Sequence, residues 1–280
     1  MKRYFSTLIL GLIISASFAQ KDKRIFIDTV QYSCNYLYTF QQDSNSRYST
    51  RTQEMILQIG NHCSKFIHST THHSDSLLMV FAEESSETVV TKVWSMTGGL
   101  GTVHAYCSNY IYKNYPQKGD LLITDYMGGK NFKAFDSSQF NWNIIPDTTQ
   151  IIDSYICNAA TTQFAGRKYI AWFTKNIPIS EGPYKFNNLP GLIIMIYDTE
   201  RQHKYELLSI VKSKTIEPII LYDKNYISVT PEEYVNAINL RQANLYNRIQ
   251  REDGIIPDSD ESKARALINI KSRNNFIEKY

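Results

Sequence analysis

Short runs rich in Tyr, Phe, Ile, Val and Thr follow one another along most of this chain, with no helical segments alternating between them. That succession constrains the fold more than any other feature, because such residues suit a pleated, half-buried surface. The runs are VQYSCNYLYTF (30–40), EMILQIG (54–60), SNYIYKNY (108–115), DLLITDYM (120–127), IIDSYICNAATTQF (151–164), RKYIAWFT (167–174), LIIMIYD (192–198) and KYELLSIVKS (204–213). Short polar or glycine-containing links separate several of them. Strand following strand at this spacing predicts antiparallel pairing, not helix-linked parallel pairing. The expected fold is mainly β: a curved antiparallel sheet, or an open barrel or sandwich, interrupted by a short helix near residues 72–85.

The pattern changes at Thr230. Thr230-Pro231-Glu232-Glu233 supplies a capping hydroxyl, a proline for the first turn and a glutamate three residues after the cap; that is a capping box. Val235, Ile238, Leu245 and Ile249 recur at helical spacing, with Gln242 as the polar gap, so an amphipathic C-terminal helix is expected to pack on the sheet. Beyond Pro257 the chain is charged and sparsely apolar, which suits a second short helix or a mobile tail, and its terminal position favours mobility. The expected organisation is a leader over 1–19, a β domain over 20–229, and a helix with a charged tail over 230–280.

The leader is read from Lys2 and Arg3, the apolar stretch TLILGLIISASF and the small residues Ser17 and Ala19. This is the layout of a signal peptide cleaved before Gln20. No cysteine follows the apolar core, which argues against a lipid anchor, and no later segment has the apolar length of a transmembrane span. The expected location is secreted: periplasmic or associated with the outer membrane. Loss of Lys2 and Arg3 lowers the formal charge from +3 to +1, a balance that argues against nucleic acid or an anionic membrane as partner. Cys34, Cys63, Cys107 and Cys157 would meet an oxidising compartment, so at least one disulfide is expected, with every pairing open. Buried free thiols are the alternative.

Leu189-Pro190-Gly191-Leu192 has the preferred chemistry of a type II turn. It feeds Leu192–Tyr197, a strand apolar on both faces that needs cover on both: the sheet's core on one side, and the C-terminal helix, a second layer, or an apolar ligand or partner on the other. The stretch AWFTKNIPISEGPYKFNNLPGLIIMIYD (171–198) resembles the signature of the GLPGLI family of secreted Bacteroidetes proteins. The motif reads Asn188-Leu189-Pro190-Gly191-Leu192-Ile193 here, with asparagine in place of the first glycine. Asparagine is the non-glycine residue most tolerant of turn geometry. Cys157 with Ala159-Ala160-Thr161, Gly166-Arg167 and Trp172 also resemble the family pattern. The resemblance implies a secreted envelope protein of unestablished molecular function and brings no catalytic residues with it.

Independent chemistry is sparse. His68, His72, His73 and Asp75 form H-x-x-x-H-H-x-D, and imidazoles four apart on a helix can share a metal; a solvated polar loop is the simpler reading. No G-x-S-x-G elbow positions a serine, and Thr97–Thr102 (TGGLGT) lacks the Gly-Lys-Ser/Thr ending of a phosphate loop. Cys157 with His104 as base is a conceivable nucleophile, against a disulfide or buried thiol. Arg167, Trp172, Phe173, Pro178, Gly182, Pro183, Tyr184, Lys185 and Phe186 form a candidate binding surface. Its aromatics suit an apolar pocket or ordinary core packing. Arg167 and Lys185 suit anion or carboxylate contacts, or a charged sheet edge. Family resemblance also marks Thr29, Ser76 and Thr148, each after an aspartate, as candidate O-glycosylation acceptors.

No cofactor is expected. Two classes of function follow: a binding or assembly module for an apolar ligand, peptide or envelope protein, and, second, a hydrolase or metal-dependent enzyme built on His72, His73, Asp75 or His104.

Overall fold

The computed structural model describes residues 23–81, 88, 92, 109–137, 139–250 and 259–279, with backbone only at 242, 243 and 245–250. The leader and its cleavage site, the 97–102 stretch, His104, Cys107, Pro257 and the side chains of Gln242, Leu245 and Ile249 lie outside the described residues.

The strands are β1 (Lys23–Thr29), β2 (Tyr32–Gln41), β3 (Thr50–Ile59), β4 (Ser64–His68), β5 (Tyr110–Lys113), β6 (Leu121–Met127) and β7 (Lys130–Asp136). They continue as β8 (Asn143–Ile152), β9 (Tyr155–Phe164), β10 (Arg167–Thr174), β11 (Leu192–Asp198), β12 (His203–Lys212), β13 (Pro218–Asp223) and β14 (Tyr226–Val229). Helices are α1 (Ser69–Val80), α2 (Pro231–Gln250) and α3 (Asp260–Lys271). Twelve strands form one sheet in the order β14-β7-β6-β5-β4-β3-β2-β12-β11-β10-β9-β8, and β1 pairs with β13 as a separate ribbon. All pairs are antiparallel except β14 with β7. The order begins at β14 and ends at β8, so the sheet is open and not closed into a barrel.

Register separates the two faces. Cys34, Leu57, Phe66, Ile111, Ile123 and Ala134 are aligned across β2 to β7, and all belong to the main core. The same core contains Phe173, Ile194 and Ile196 from β10 and β11, and Phe186 and Leu189 from the loop between those strands. In a flat sheet β7 and β11, seven spacings apart, would be separated by about 34 Å. One shared core therefore requires the sheet to curl around the 175–191 loop.

The opposite face carries the row Gln58, Lys65, Tyr112 and Leu122. Here the β1–β13 ribbon forms a second layer, and Val30, Cys63, Tyr112, Leu122, Ile219 and Leu221 make a smaller core beneath it. Asp28 locks the ribbon to the β3–β4 turn by accepting the amides of His62 at 2.6 Å and Cys63 at 3.1 Å. Burial acts to raise its pKa, but these donors, with Thr29 N and Asn61, outweigh that and hold it below the usual carboxylate value.

The capping box forms as the sequence predicts: Glu233 N donates to Thr230 Oγ1 at 3.1 Å, and Thr230 N donates to Glu233 Oε2 at 2.8 Å. Among the described residues, however, the helix does not cover the apolar strand β11. Strand β14 leads directly into α2 at the far end of the sheet, where Tyr234 donates to Asp125 Oδ2 at 2.8 Å. Cover for β11 comes from the 175–191 loop, as Ile193 N donates to Glu181 O at 3.0 Å. On its other face Met195 and Trp172 remain half-buried, and the Arg201 guanidinium caps the Tyr197 ring at 3.6 Å.

Two further expectations are corrected. The expected disulfide is not present among the described residues: Cys34, Cys63 and Cys157 are buried free thiols in separate places, Cys34 and Cys157 in the main core and Cys63 under the ribbon. Burial pushes Cys34 and Cys63 up to about 12 and Cys157 to about 11. The segment after Pro257 is not a mobile tail: α3 is capped by Ser259, and Asn275, Ile277 and Glu278 beyond it are buried. Topology brings buried counter-charges to that segment, which its charged composition alone does not reveal.

Candidate functional site

Three charged groups of the 165–191 region, Arg167, Glu181 and Lys185, are buried, whereas Lys168 and Lys175 are exposed. Lys113, wholly buried on β5, reaches across to Glu181 Oε2 at 2.5 Å and donates to Gly182 O at 2.6 Å. Burial lowers its pKa, against the opposing pull of Glu181. Lys185 meets Asp136 Oδ2 at 2.8 Å and also Glu278 Oε1, which in turn accepts from the Tyr184 hydroxyl at 2.5 Å. Arg167 donates to Asp198 Oδ2 at 2.7 Å, Gln202 Oε1 at 3.0 Å, Asn275 Oδ1 at 2.5 Å and Phe276 O at 2.9 Å. Neither Arg167 nor Lys185 is a charged sheet edge: each is buried against carboxylates of its own chain.

The contacts of Arg167 and Lys185 share one segment, Ser272–Lys279, hereafter the strap, which turns at Ser272 and bends at Ile277. Tyr169 donates to Ile277 O at 3.1 Å, and Lys279 N donates to Ala165 O at 2.9 Å. On the other side the β2–β3 turn holds the strap: Asn275 Nδ2 donates to Gln41 O at 2.8 Å, and Gln42 Nε2 to Ser272 Oγ at 3.0 Å. Glu278, Asn275, Asp136 and Lys113 were not singled out from sequence. Lys113 and Asp136 carry a faint signal there, as charges within or closing apolar runs; Glu278 has none.

The aromatic candidates are core residues or close to it. Phe186 is fully buried among Phe140, Trp142, Phe164, Tyr169 and Tyr184, while Phe173 is buried on β10. Trp172 lies half-buried on the outer face, Pro183 is buried, and Pro178 and Pro190 are exposed. Two open hollows near this region share Gln41, Thr50, Arg201 and Gln202; the one that also takes in Ser44 is mainly polar, and the one that includes Phe40 is mainly apolar.

The corner at Pro190 is tighter than a type II turn. Gly191 N donates to Leu189 O at 2.8 Å, while Leu192 N, which would close a type II turn, donates to Ile177 O at 3.0 Å. Asn188 takes a φ of 67°, the left-handed conformation for which asparagine is best suited after glycine.

The histidine cluster does not converge. His68 ends β4 with Nδ1 accepting Thr70 N at 3.1 Å; His72 approaches Glu217 at 3.7 Å; His73 is exposed; Asp75 lies 3.8 Å from Lys65 and accepts from Tyr110 at 3.1 Å. Among the described residues no three His, Cys, Asp or Glu side chains are placed to hold a metal. Burial nevertheless raises Asp75 and lowers Lys65 and His72. Of the candidate glycosylation positions, Thr29 ends β1, Ser76 donates to His72 O within α1, and Thr148 lies in the bulged edge strand β8.

His203 was not anticipated. It is buried at the start of β12, 2.7 Å from the Tyr38 hydroxyl. Burial, then the charges of Arg167 and Lys279, hold it down to about 3, against an ordinary 6.5. As pH falls below 6.5 the unfolded chain takes up a proton here that the folded chain refuses, so stability drops by about 2 kcal/mol at pH 5. Urea titrations of wild type and His203→Gln between pH 7 and 5 should show that part of the slope vanish in the variant. An equal slope would mean that the native ring does protonate.

A family model described as a protein of unknown function, Porph_ging, matches residues 165–195. No curated protein matches the chain. Two crystal forms of PNGF-II align with it at 12% identity and a TM-score of 0.49, over 77% of this chain and 34% of theirs, so the chain spans about a third of their length. What the chain shares with the Porph_ging model is thus one continuous unit, the hairpin turn, strand β10, loop and first part of β11, and that unit grips the strap.

Proposed function

We propose that this is a secreted cell-envelope protein, related to the GLPGLI proteins, that acts as a non-catalytic binding or assembly module. One observation carries the reading: Arg167, Tyr169, Tyr184 and Lys185, all within the matched segment, direct their polar groups at one piece of polypeptide outside the strands and helices. Groups engaged in this way hold chains together and are not free for acid–base work. Residues 1–19 supply the export signal, and the periplasm or outer membrane is the site of action.

A hydrolase is the second reading, favoured by the buried Lys65–Asp75 pair beside His72 and Glu217, because clustered perturbed groups often mark active sites. Crosslinking in intact host cells tests both. The module reading expects the protein above monomer mass, equally in wild type and in His72→Gln/Asp75→Asn. A monomer alone, or a host defect that follows the Asp75→Asn change in a folded protein, would overturn it.

A further inference from the structure

We infer that the 165–191 region and the β2–β3 turn form a peptide-binding site, closed here by the strap, that accepts the same kind of segment from another chain. This rests on the binding-module reading and names the partner chemistry: a segment outside regular secondary structure presenting an asparagine, then an aliphatic residue two positions on, then a glutamate.

The strap enters the body as a ligand would. Asn275, Ile277 and Glu278 turn inward, and each meets a dedicated partner: the Asn275 side chain lies between Arg167 and the Gln41 carbonyl, and Ile277 joins the main core while its carbonyl accepts from Tyr169. Glu278 lies between Lys185 and Tyr184. The backbone is read as well, through Phe276 O and Lys279 N. At Gly166, which has a φ of 76°, a Cβ would stand 2.7 Å from Lys279 O, so only glycine leaves room for the strap to pass.

A segment that merely sealed the core would be apolar. This one is held mainly by directional and charge-assisted contacts, which specify register more than they add stability. Its tether runs through α3 and α2, where Ile268 and Leu240 are more than half exposed while Tyr234, Val235 and Ile270 are buried. Polar gripping of a segment that lies beyond α3 is an arrangement in which one chain's segment can be replaced by an identical one from another.

The test uses the full-length chain with its own strap weakened, Asn275→Ala/Glu278→Gln, and a fluorescent peptide of residues 272–280, SRNNFIEKY. Saturable binding is expected, at least tenfold weaker for the peptide carrying Glu278→Gln and absent for a scrambled one. If the double variant does not fold, unaltered protein is incubated with excess peptide below its melting temperature. Bound peptide with loss of amide-exchange protection in the strap is then expected. Folded protein that ignores the peptide, or that binds the Glu278→Gln peptide equally well, would overturn the inference. Crosslinking in cells reports separately on the module reading, which survives if partners bind elsewhere.

Discussion

Replacing Lys185 with methionine is expected to destabilise the protein by about 3–5 kcal/mol, because the change keeps the buried stem but removes the charge that Asp136 and Glu278 both face. The side chains of all three residues are almost fully buried, so water cannot readily replace the ammonium. In a chain of this size the loss corresponds to a melting temperature lower by about 10 °C. Adding Asp136→Asn and Glu278→Gln to the methionine variant should recover part of the loss, since the carboxylates would no longer be left buried beside an apolar stem. Calorimetry of the single and triple variants separates two causes. A triple variant no more stable than the single would mean that Lys185 acts through packing and not through charge.

That ion cluster also shows where the sequence stops being readable. Residues 32–40 alternate as an amphipathic strand does, and the structure pairs them in that register; Thr230 and Glu233 cap a helix because the capping box is local. Local chemistry also explains Asn188, whose side chain tolerates the positive φ of the turn. Contacts between distant segments left no such trace. Strand β1 pairs with β13 from the other end of the chain, β14 runs parallel to β7, and α2 follows β14 to the far edge of the sheet.

The site was legible to the same degree. Arg167 and Lys185 could be recognised as cations suited to carboxylates, but the carboxylates that reach them come from β7, the end of β11 and the strap. The strap itself reads as solvated chain, because composition records average exposure and a charge can be buried wherever topology delivers its counter-charge. His203 reads as an ordinary strand-end histidine. Its neutrality depends first on burial and then on Arg167 and Lys279, all of which only folding supplies.

Gly191→Val is expected to abolish the native fold or to cost at least about 3–5 kcal/mol, among the larger effects available to one substitution. Gly191 has a φ of 151°, where side chains are strained. A Cβ there would also collide with the backbone of Thr174, lying 2.7 Å from its carbonyl carbon as well as against the oxygen. Thr174 cannot withdraw: it is fully buried, pairs with Leu192 and donates from Oγ1 to Ile156 O. Relief would have to come from parting β10 and β11 at the point where the loop departs, with loss of the Leu192 N bond to Ile177 O and of the Lys185 position beyond it. Gly191→Ala should therefore approach the valine variant in effect, because the first carbon already causes the collision. Asn188→Gly, three residues earlier at a φ of 67° and exposed, should change stability by less than about 1 kcal/mol, and Pro190→Ala by a similar amount, mainly through the unfolded chain. Urea unfolding of the four variants checks the order. If Gly191→Ala were as mild as Asn188→Gly, the Thr174 backbone would be yielding, and the corner would not be what holds the loop across the sheet.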